Sequence, residues 1–157
     1  MTKTATFIRH GEHEHDHLTE TGRRQVEETA RQMIADRNIP AVILHSPAER
    51  TTETAALIAQ AFNDAGYKVP LKSTALLADS KPQMATVEAL RGLGDNGDNI
   101  LAVTHDNCIR GIATIFGDRA PRYQAPKPAQ GFKFVACVDR WQDIARGNIA
   151  FTRDYTP

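Results

Sequence analysis

Three short, largely apolar runs, residues 5–8, 41–44 and 100–103, each break off into polar sequence with a histidine at the break: His10, His45 and His105. Short continuous apolar runs mark strands covered on both faces, the hallmark of parallel sheets flanked by helices. The segments between them have helical period. Residues 19–36 place Val26, Ala30, Met33 and Ile34 at i, i+4, i+7 and i+8, and Asn38 and Pro40 stop the helix. After the second run, Ser46-Pro47-Ala48-Glu49 reads as an N-cap, a proline at the first helical position and a capping-box glutamate. Leu57, Ile58, Ala61 and Phe62 form that helix's apolar face and Gly66 ends it.

The rest of the chain continues the alternation. A short strand is expected at residues 69–71, with Leu76 and Leu77 closing an extended segment. A helix follows at 82–93, with Met84, Val87, Ala89 and Leu90 partly inward, and then a turn-rich loop to residue 99. A helix over 107–116 closes at Gly117, and the three prolines of residues 119–130 predict an irregular surface loop. Strands are expected at 132–138 and 148–152. Strands alternating with helices define an α/β fold, a three-layer α/β/α sandwich with a mainly parallel, doubly wound sheet, here as one domain over residues 1–157.

The formal net charge of the 157 residues is zero, so no basic surplus points to nucleic acid or an anionic membrane surface. No apolar run reaches the length of a membrane-spanning helix, and the N-terminus passes directly into a strand without a signal-peptide core. Cys108 and Cys137 make no disulfide framework; both lie in apolar stretches and are expected to be reduced, buried residues of a cytoplasmic protein.

Chemistry gathers at the strand ends. Open α/β sheets bind ligands beyond the carboxyl ends of their strands, so groups distant in sequence meet on one edge. Arg9 and His10 follow the first strand, Ser46 and Arg50 the second, and His105 the run at 100–104. Guanidinium groups hold oxyanions in a planar fork, helix N-termini add N–H groups, and a neutral imidazole can attack phosphorus. Two arginines, two histidines and helix ends make an anion trap suited to a phosphorylated substrate. The residues 12–17, Glu-His-Glu-His-Asp-His, admit three readings: a metal site if extended strand geometry puts His13, His15 and His17 on one side, a solvated loop, or a pocket rim that tunes pH response.

Arg9-His10-Gly11-Glu12, Leu18-Thr19-x-x-Gly22-x-x-Gln25, Ser46-Pro47-x-x-Arg50-x-x-x-Thr54-Ala55 and Val103-Thr104-His105 stand in the order and spacing of the histidine phosphatase superfamily, which includes the phosphoglycerate mutases, and the chain resembles it. The resemblance implies a covalent phosphohistidine mechanism without metal or other cofactor. By position, His10 is the nucleophile, with Arg9, Arg50 and His105 completing the phosphate pocket. It leaves the general acid open. Asp79, in the Leu77-Ala78-Asp79 context, comes first; Asp106, directly after the second histidine, is the alternative, with an N-cap role equally open; Glu12 is the third.

The mutase-like members often carry a Gly-x-x-Glu-Gly element after the acid, and it is missing after Asp79. Residues 80–99 hold only one helix and a loop, with no material for a lid. An open pocket suits a phosphate displayed on a large partner, and the trimmed architecture resembles the short SixA-type phosphohistidine phosphatases. The expected function is a phosphatase acting on protein phosphohistidine. A broad phosphatase of small phosphate esters or anhydrides is the second reading, and a catalytically idle phosphate-binding module is the third.

Overall fold

The computed structural model describes residues 1–82, 84–116 and 126–157. Strand β1 (Lys3–Arg9) leads into a hairpin of two short strands, β2 (His13–Glu14) and β3 (His17–Leu18), then helix α1 (Glu20–Ala35). Strand β4 (Val42–His45), helix α2 (Glu49–Asp64), strand β5 (Leu71–Ser73) and a 3-10 turn (Ala75–Leu77) follow. Helix α3 (Met84–Arg91), strand β6 (Asn99–Thr104), helix α4 (Asp106–Ile115), strand β7 (Gly131–Ala136), a second 3-10 segment (Trp141–Arg146) and strand β8 (Ile149–Tyr155) complete the described chain.

The six-stranded sheet runs β5-β4-β6-β1-β7-β8. Strands β5, β4, β6 and β1 are parallel, while β7 is antiparallel to both β1 and β8. Strand periodicity divides the core between the two faces. Ile8, Ile43, Leu101 and Val103 pack with Val26, Ala30 and Met33 of α1 and Ile58 and Phe62 of α2. Ala5, Phe7, Leu44 and Ala102 face the other way, against Val87 and Leu90 of α3, Ile109 and Ile112 of α4, and Trp141 and Ile144. The mainly parallel three-layer fold expected from the sequence is the fold observed.

The differences are local. Helix α2 begins at Glu49 with Ala48 in the capping position, and Ser46 is no N-cap: its hydroxyl is buried and bonded elsewhere. The capping contact is tertiary, from the Glu49 N–H to Asp16 Oδ2 at 3.3 Å. His105, not Asp106, occupies the N-cap of α4, and Asp106 is its first residue, 3.6 Å from Arg110 one turn on. The strand expected at 69–71 lies at Leu71–Ser73, and Leu76 and Leu77 belong to a 3-10 turn. Met84, at the start of α3, is exposed, and so is Cys137, because β7 ends one residue earlier. Gly117 and most of the proline segment lie outside the described residues. The segment's end is irregular and Lys127 is exposed, as a surface loop requires, but Ala129 is buried: its N–H donates to the His10 carbonyl at 3.0 Å and its carbonyl accepts from Thr29. No helix among the described residues is long and apolar enough to cross a membrane.

Candidate active site

The carboxyl ends of β1, β4 and β6 open onto a cavity of about 510 Å³ lined by Arg9, His10, His13, Arg50, Asp79, Ser80, His105, Asp106 and Asn107. The topology brings Arg9, His10, Arg50 and His105 to one place, with Asp79 and Asp106 on its wall. Glu12 is outside it. Its carboxylate accepts from Thr19 Oγ1 at 3.0 Å and its backbone N–H donates to Gln25, so it ties β1 to α1. Two glycines make that junction possible. A Cβ on Gly22 would stand 2.0 Å from the Glu12 carbonyl oxygen, and one on Gly11 would stand 2.7 Å from the Gly22 carbonyl oxygen.

His10 is buried, and its Nδ1–H donates to the Gly11 carbonyl at 2.9 Å. That bond selects the tautomer with the proton on Nδ1 and leaves the Nε2 lone pair free. Burial pushes the His10 pKa down from 6.5 to about 4 against the opposing pull of the Gly11 carbonyl, and His105, Arg9 and Arg50 push the same way as burial. The imidazole is therefore neutral at ordinary pH, the form that can act as a nucleophile.

His105 lies edge-on to His10, with ring centroids 5.4 Å apart. Its Nδ1 accepts from Arg50 Nη2 at 3.3 Å, so Nε2 carries the proton and donates to Ser46 Oγ at 2.8 Å. Ser46 passes its own hydrogen bond to Thr51 Oγ1 at 2.6 Å, and Thr51 donates to the Ala48 and Ser46 carbonyls. This chain explains why Ser46 is unavailable as a cap. Burial and the neighbouring Arg50 lower the His105 pKa, so the pocket holds two neutral imidazoles beside two guanidiniums.

The guanidiniums are only partly satisfied. Arg9 Nη1 donates to the Pro126 carbonyl at 2.8 Å. Arg50 donates from Nη1 to Asp16 at 2.6 Å and from Nη2 to Asp79 at 3.1 Å. The Nε atoms of both arginines are buried and have no acceptor among the described residues. Buried N–H groups without an acceptor are costly, and an oxyanion in the cavity is the group that would satisfy them. The N-terminus of α4, with no side-chain cap, opens on the same space. Asp79 is carried by the segment after the first 3-10 turn, where its carbonyl accepts from Asn107 Nδ2 at 2.5 Å, and Thr104 Oγ1 donates to the nearby Leu77 carbonyl at 2.8 Å.

The histidine run is a hairpin, not an extended strand or a simple loop. His15 and Asp16 form its turn with φ of 49° and 67°. The turn separates the three histidines, so the one-sided metal arrangement of His13, His15 and His17 does not exist. His13 lines the cavity with its ring 4.9 Å from that of His10. His17 pairs with Glu53 at 2.5 Å, which raises the His17 pKa. His17, Glu49 and Glu53 offer ligand atoms within 4.8 Å of one another, but His17 and Glu53 already satisfy each other there. Asp16 and Pro126 were not legible as site residues. Both act through contacts more than thirty residues away, and only the neighbouring motif residues point towards them.

The fold and the strand-end pocket define the class: a phosphoglycerate mutase-like α/β protein. The model of the histidine phosphatase superfamily (branch 1) matches residues 5–80, the span that holds the first three motifs; Val103-Thr104-His105 lies beyond it. No match was found among curated proteins. Among solved structures, a candidate phosphohistidine phosphatase SixA from Nakamurella multipartitia is 16% identical with a TM-score of 0.78, covering 100% of this chain and 97% of that one. A protein histidine phosphatase SixA complexed with tungstate is 17% identical with a TM-score of 0.74, covering 98% and 97%. A mycobacterial glucosyl-3-phosphoglycerate phosphatase bound to VO3 is 13% identical with a TM-score of 0.73, covering 99% and 100%. The chain has a histidine phosphatase fold.

Proposed function

We propose that this protein is a phosphatase that forms a covalent phosphohistidine on His10 and acts on phosphohistidine displayed by proteins. The observation that carries the reading is the buried, neutral His10, its Nε2 not taken up by the Gly11 bond, beside two arginines whose Nε–H groups have no acceptor among the described residues. In the first half-reaction the Nε2 lone pair attacks phosphorus, and the bond from phosphorus to the leaving nitrogen or oxygen breaks. The leaving group departs with that electron pair and takes up a proton. In the second half-reaction water attacks phosphorus, the P–Nε2 bond breaks, its electron pair returns to His10, and inorganic phosphate is released. Arg9 and Arg50 donate to the equatorial oxygens, where charge gathers in the transition state, and His105 completes the pocket once its Nδ1 carries a proton in place of the Arg50 contact. Asp79 and Asp106 stand on the cavity wall as proton donors, and Glu12, tied to Thr19, drops out of that role.

The substrate assignment rests on two supports. Between Asp79 and β6 the described residues hold the single helix α3, none of whose residues lines the cavity, which suits a phosphate on a large partner. Imidazole also leaves with little help from a strong acid. A phosphatase of small esters is the second reading, favoured by Asp79, whose carboxylate reaches the cavity and would serve a poor leaving group. The test is a parallel assay with phosphohistidine peptide, aryl phosphate and sugar phosphates, together with trapping of the enzyme during turnover of labelled substrate. The expected result is a base-stable, acid-labile phosphoryl group that is lost in His10→Ala, with phosphohistidine the preferred substrate. An active His10→Ala protein overturns the mechanism, and preference for a sugar phosphate overturns the substrate.

A further inference from the structure

Arg50 reaches the cavity from the first turn of α2, and a long arginine side chain needs support to hold its fork in one place. The support comes from the hairpin. Asp16 sits in the left-handed region at φ 67°, a conformation Asp and Asn tolerate. One of its carboxylate oxygens accepts from Arg50 Nη1 at 2.6 Å, and the other accepts from the Glu49 backbone N–H at 3.3 Å. The same carboxylate therefore caps the helix that carries Arg50 and grips the arginine itself. The hairpin is fixed in turn: Glu53, one turn further along α2, takes His17 Nδ1 with one oxygen and the Leu18 N–H with the other. The Arg50 side chain is 19% exposed and that of Asp16 43%, so the contact is withdrawn from water on the arginine's side only.

The two carboxylates on Arg50 differ. Asp79 has a single tie to Nη2 and is 56% exposed, whereas Asp16 is bound at both oxygens and does not line the cavity. An incoming phosphate can displace Asp79 without disturbing Asp16. From this juxtaposition we propose that Asp16 is the positioning residue of the phosphate pocket, which orients the Arg50 fork towards the phosphoryl group without touching it. The inference rests on the phosphate-pocket reading above.

The experiment compares wild type, Asp16→Asn, Arg50→Ala and the double variant. Asp16→Asn keeps a left-handed turn residue and one oxygen for the Glu49 N–H but removes the charge that grips Nη1. Aryl phosphate hydrolysis and tungstate affinity are measured beside thermal melting. Loss of a charge-assisted hydrogen bond should lower kcat/KM and tungstate affinity about tenfold, with melting close to that of wild type. In the Arg50→Ala background the same substitution should change neither. Wild-type kinetics and tungstate binding in Asp16→Asn overturn the proposal, as does an equal loss with and without Arg50, which would mark a purely structural role. A wild-type protein without phosphatase activity overturns the catalytic reading alone, since tungstate affinity still reads the Asp16–Arg50 coupling.

Discussion

Lowering the pH tests the state of His10 directly. Burial pushes its pKa from 6.5 to about 4. At pH 5 an imidazole with the ordinary value would be only about 3% neutral, whereas one titrating near 4 would be about 90% neutral, a difference of roughly thirtyfold in competent nucleophile. The acid limb of kcat/KM, corrected for protonation of the substrate phosphate, should therefore fall near pH 4. Titration of the His10 ring by NMR in the ligand-free protein should give the same midpoint. Stability follows with a definite sign. The unfolded chain takes up a proton near pH 6.5 that folded His10 refuses until about pH 4, so acidification through that window favours unfolding. At about 1.4 kcal/mol per tenfold, the ceiling of the penalty below pH 4 is about 3 kcal/mol. A His10→Asn protein should lose correspondingly less stability than wild type between pH 7 and pH 4 in denaturant titrations. A ring midpoint near 6.5, or parallel stability curves for the two proteins, would refute the reasoning.

Removing the Arg9 guanidinium with Arg9→Ala should lower kcat/KM for aryl phosphate about a hundredfold, on the order of 3 kcal/mol of transition-state stabilisation, while far-ultraviolet circular dichroism stays that of wild type. Gly22→Ala forces a Cβ into the Glu12 carbonyl and should cost on the order of 3 kcal/mol, read as a lower melting temperature, with a loss of activity because β1 and the hairpin are displaced together. Exhaustive EDTA treatment should leave turnover unchanged, since Arg9 and Arg50 supply the positive groups; restoration of lost activity by Zn²⁺ or Mg²⁺ would require rereading His17, Glu49 and Glu53 as ligands.

The strands that carry chemistry were legible because burial on both faces makes them continuously apolar, and because polar residues begin where the sheet edge begins. Val42–His45 and Asn99–Thr104 fall where the pattern places them, so the convergence of His10, Arg50 and His105 followed from topology alone. Ser46 shows why local rules stop short. The sequence Ser-Pro-Ala-Glu satisfies every local condition for a capping box, yet a tertiary bond to His105 takes the hydroxyl and the cap comes from Asp16 instead. The hairpin was illegible for a different reason. Its strands have two residues each and no buried alternation, so backbone pairing and contacts to α2 shape it rather than hydrophobic pattern. Asp106 was misread as a cap because the helix starts one residue earlier than its apolar period indicates.

The pairing of Arg50 with Asp79 bears on the unresolved choice of acid. Asp79 Oδ2 accepts an N–H of Arg50 Nη2 at 3.1 Å, an N–H that a bound phosphate would claim. Substrate and Asp79 therefore compete for one donor. When phosphate wins, Asp79 is left without its guanidinium partner on the wall of the same cavity, beside the departing group. That exchange frees the Asp79 carboxyl from Arg50 at the stage when the leaving group needs a proton. It gives Asp79→Asn two opposite signs. Tungstate should bind more tightly by up to about fivefold, because the competing contact is an exposed ion pair of at most about 1 kcal/mol. Alkyl phosphate hydrolysis should fall by ~100- to 10,000-fold, while phosphohistidine and aryl phosphate, whose leaving groups need less help, should be nearly spared. Calorimetric titration with tungstate and the alkyl-to-aryl rate ratio measure the two effects separately. If the ratio drops in Asp106→Asn instead, the acid is at the start of α4 and the Asp79 contact is only a surface ion pair. If Asp79→Asn weakens tungstate binding, Asp79 helps to hold the anion site together and the exchange argument fails.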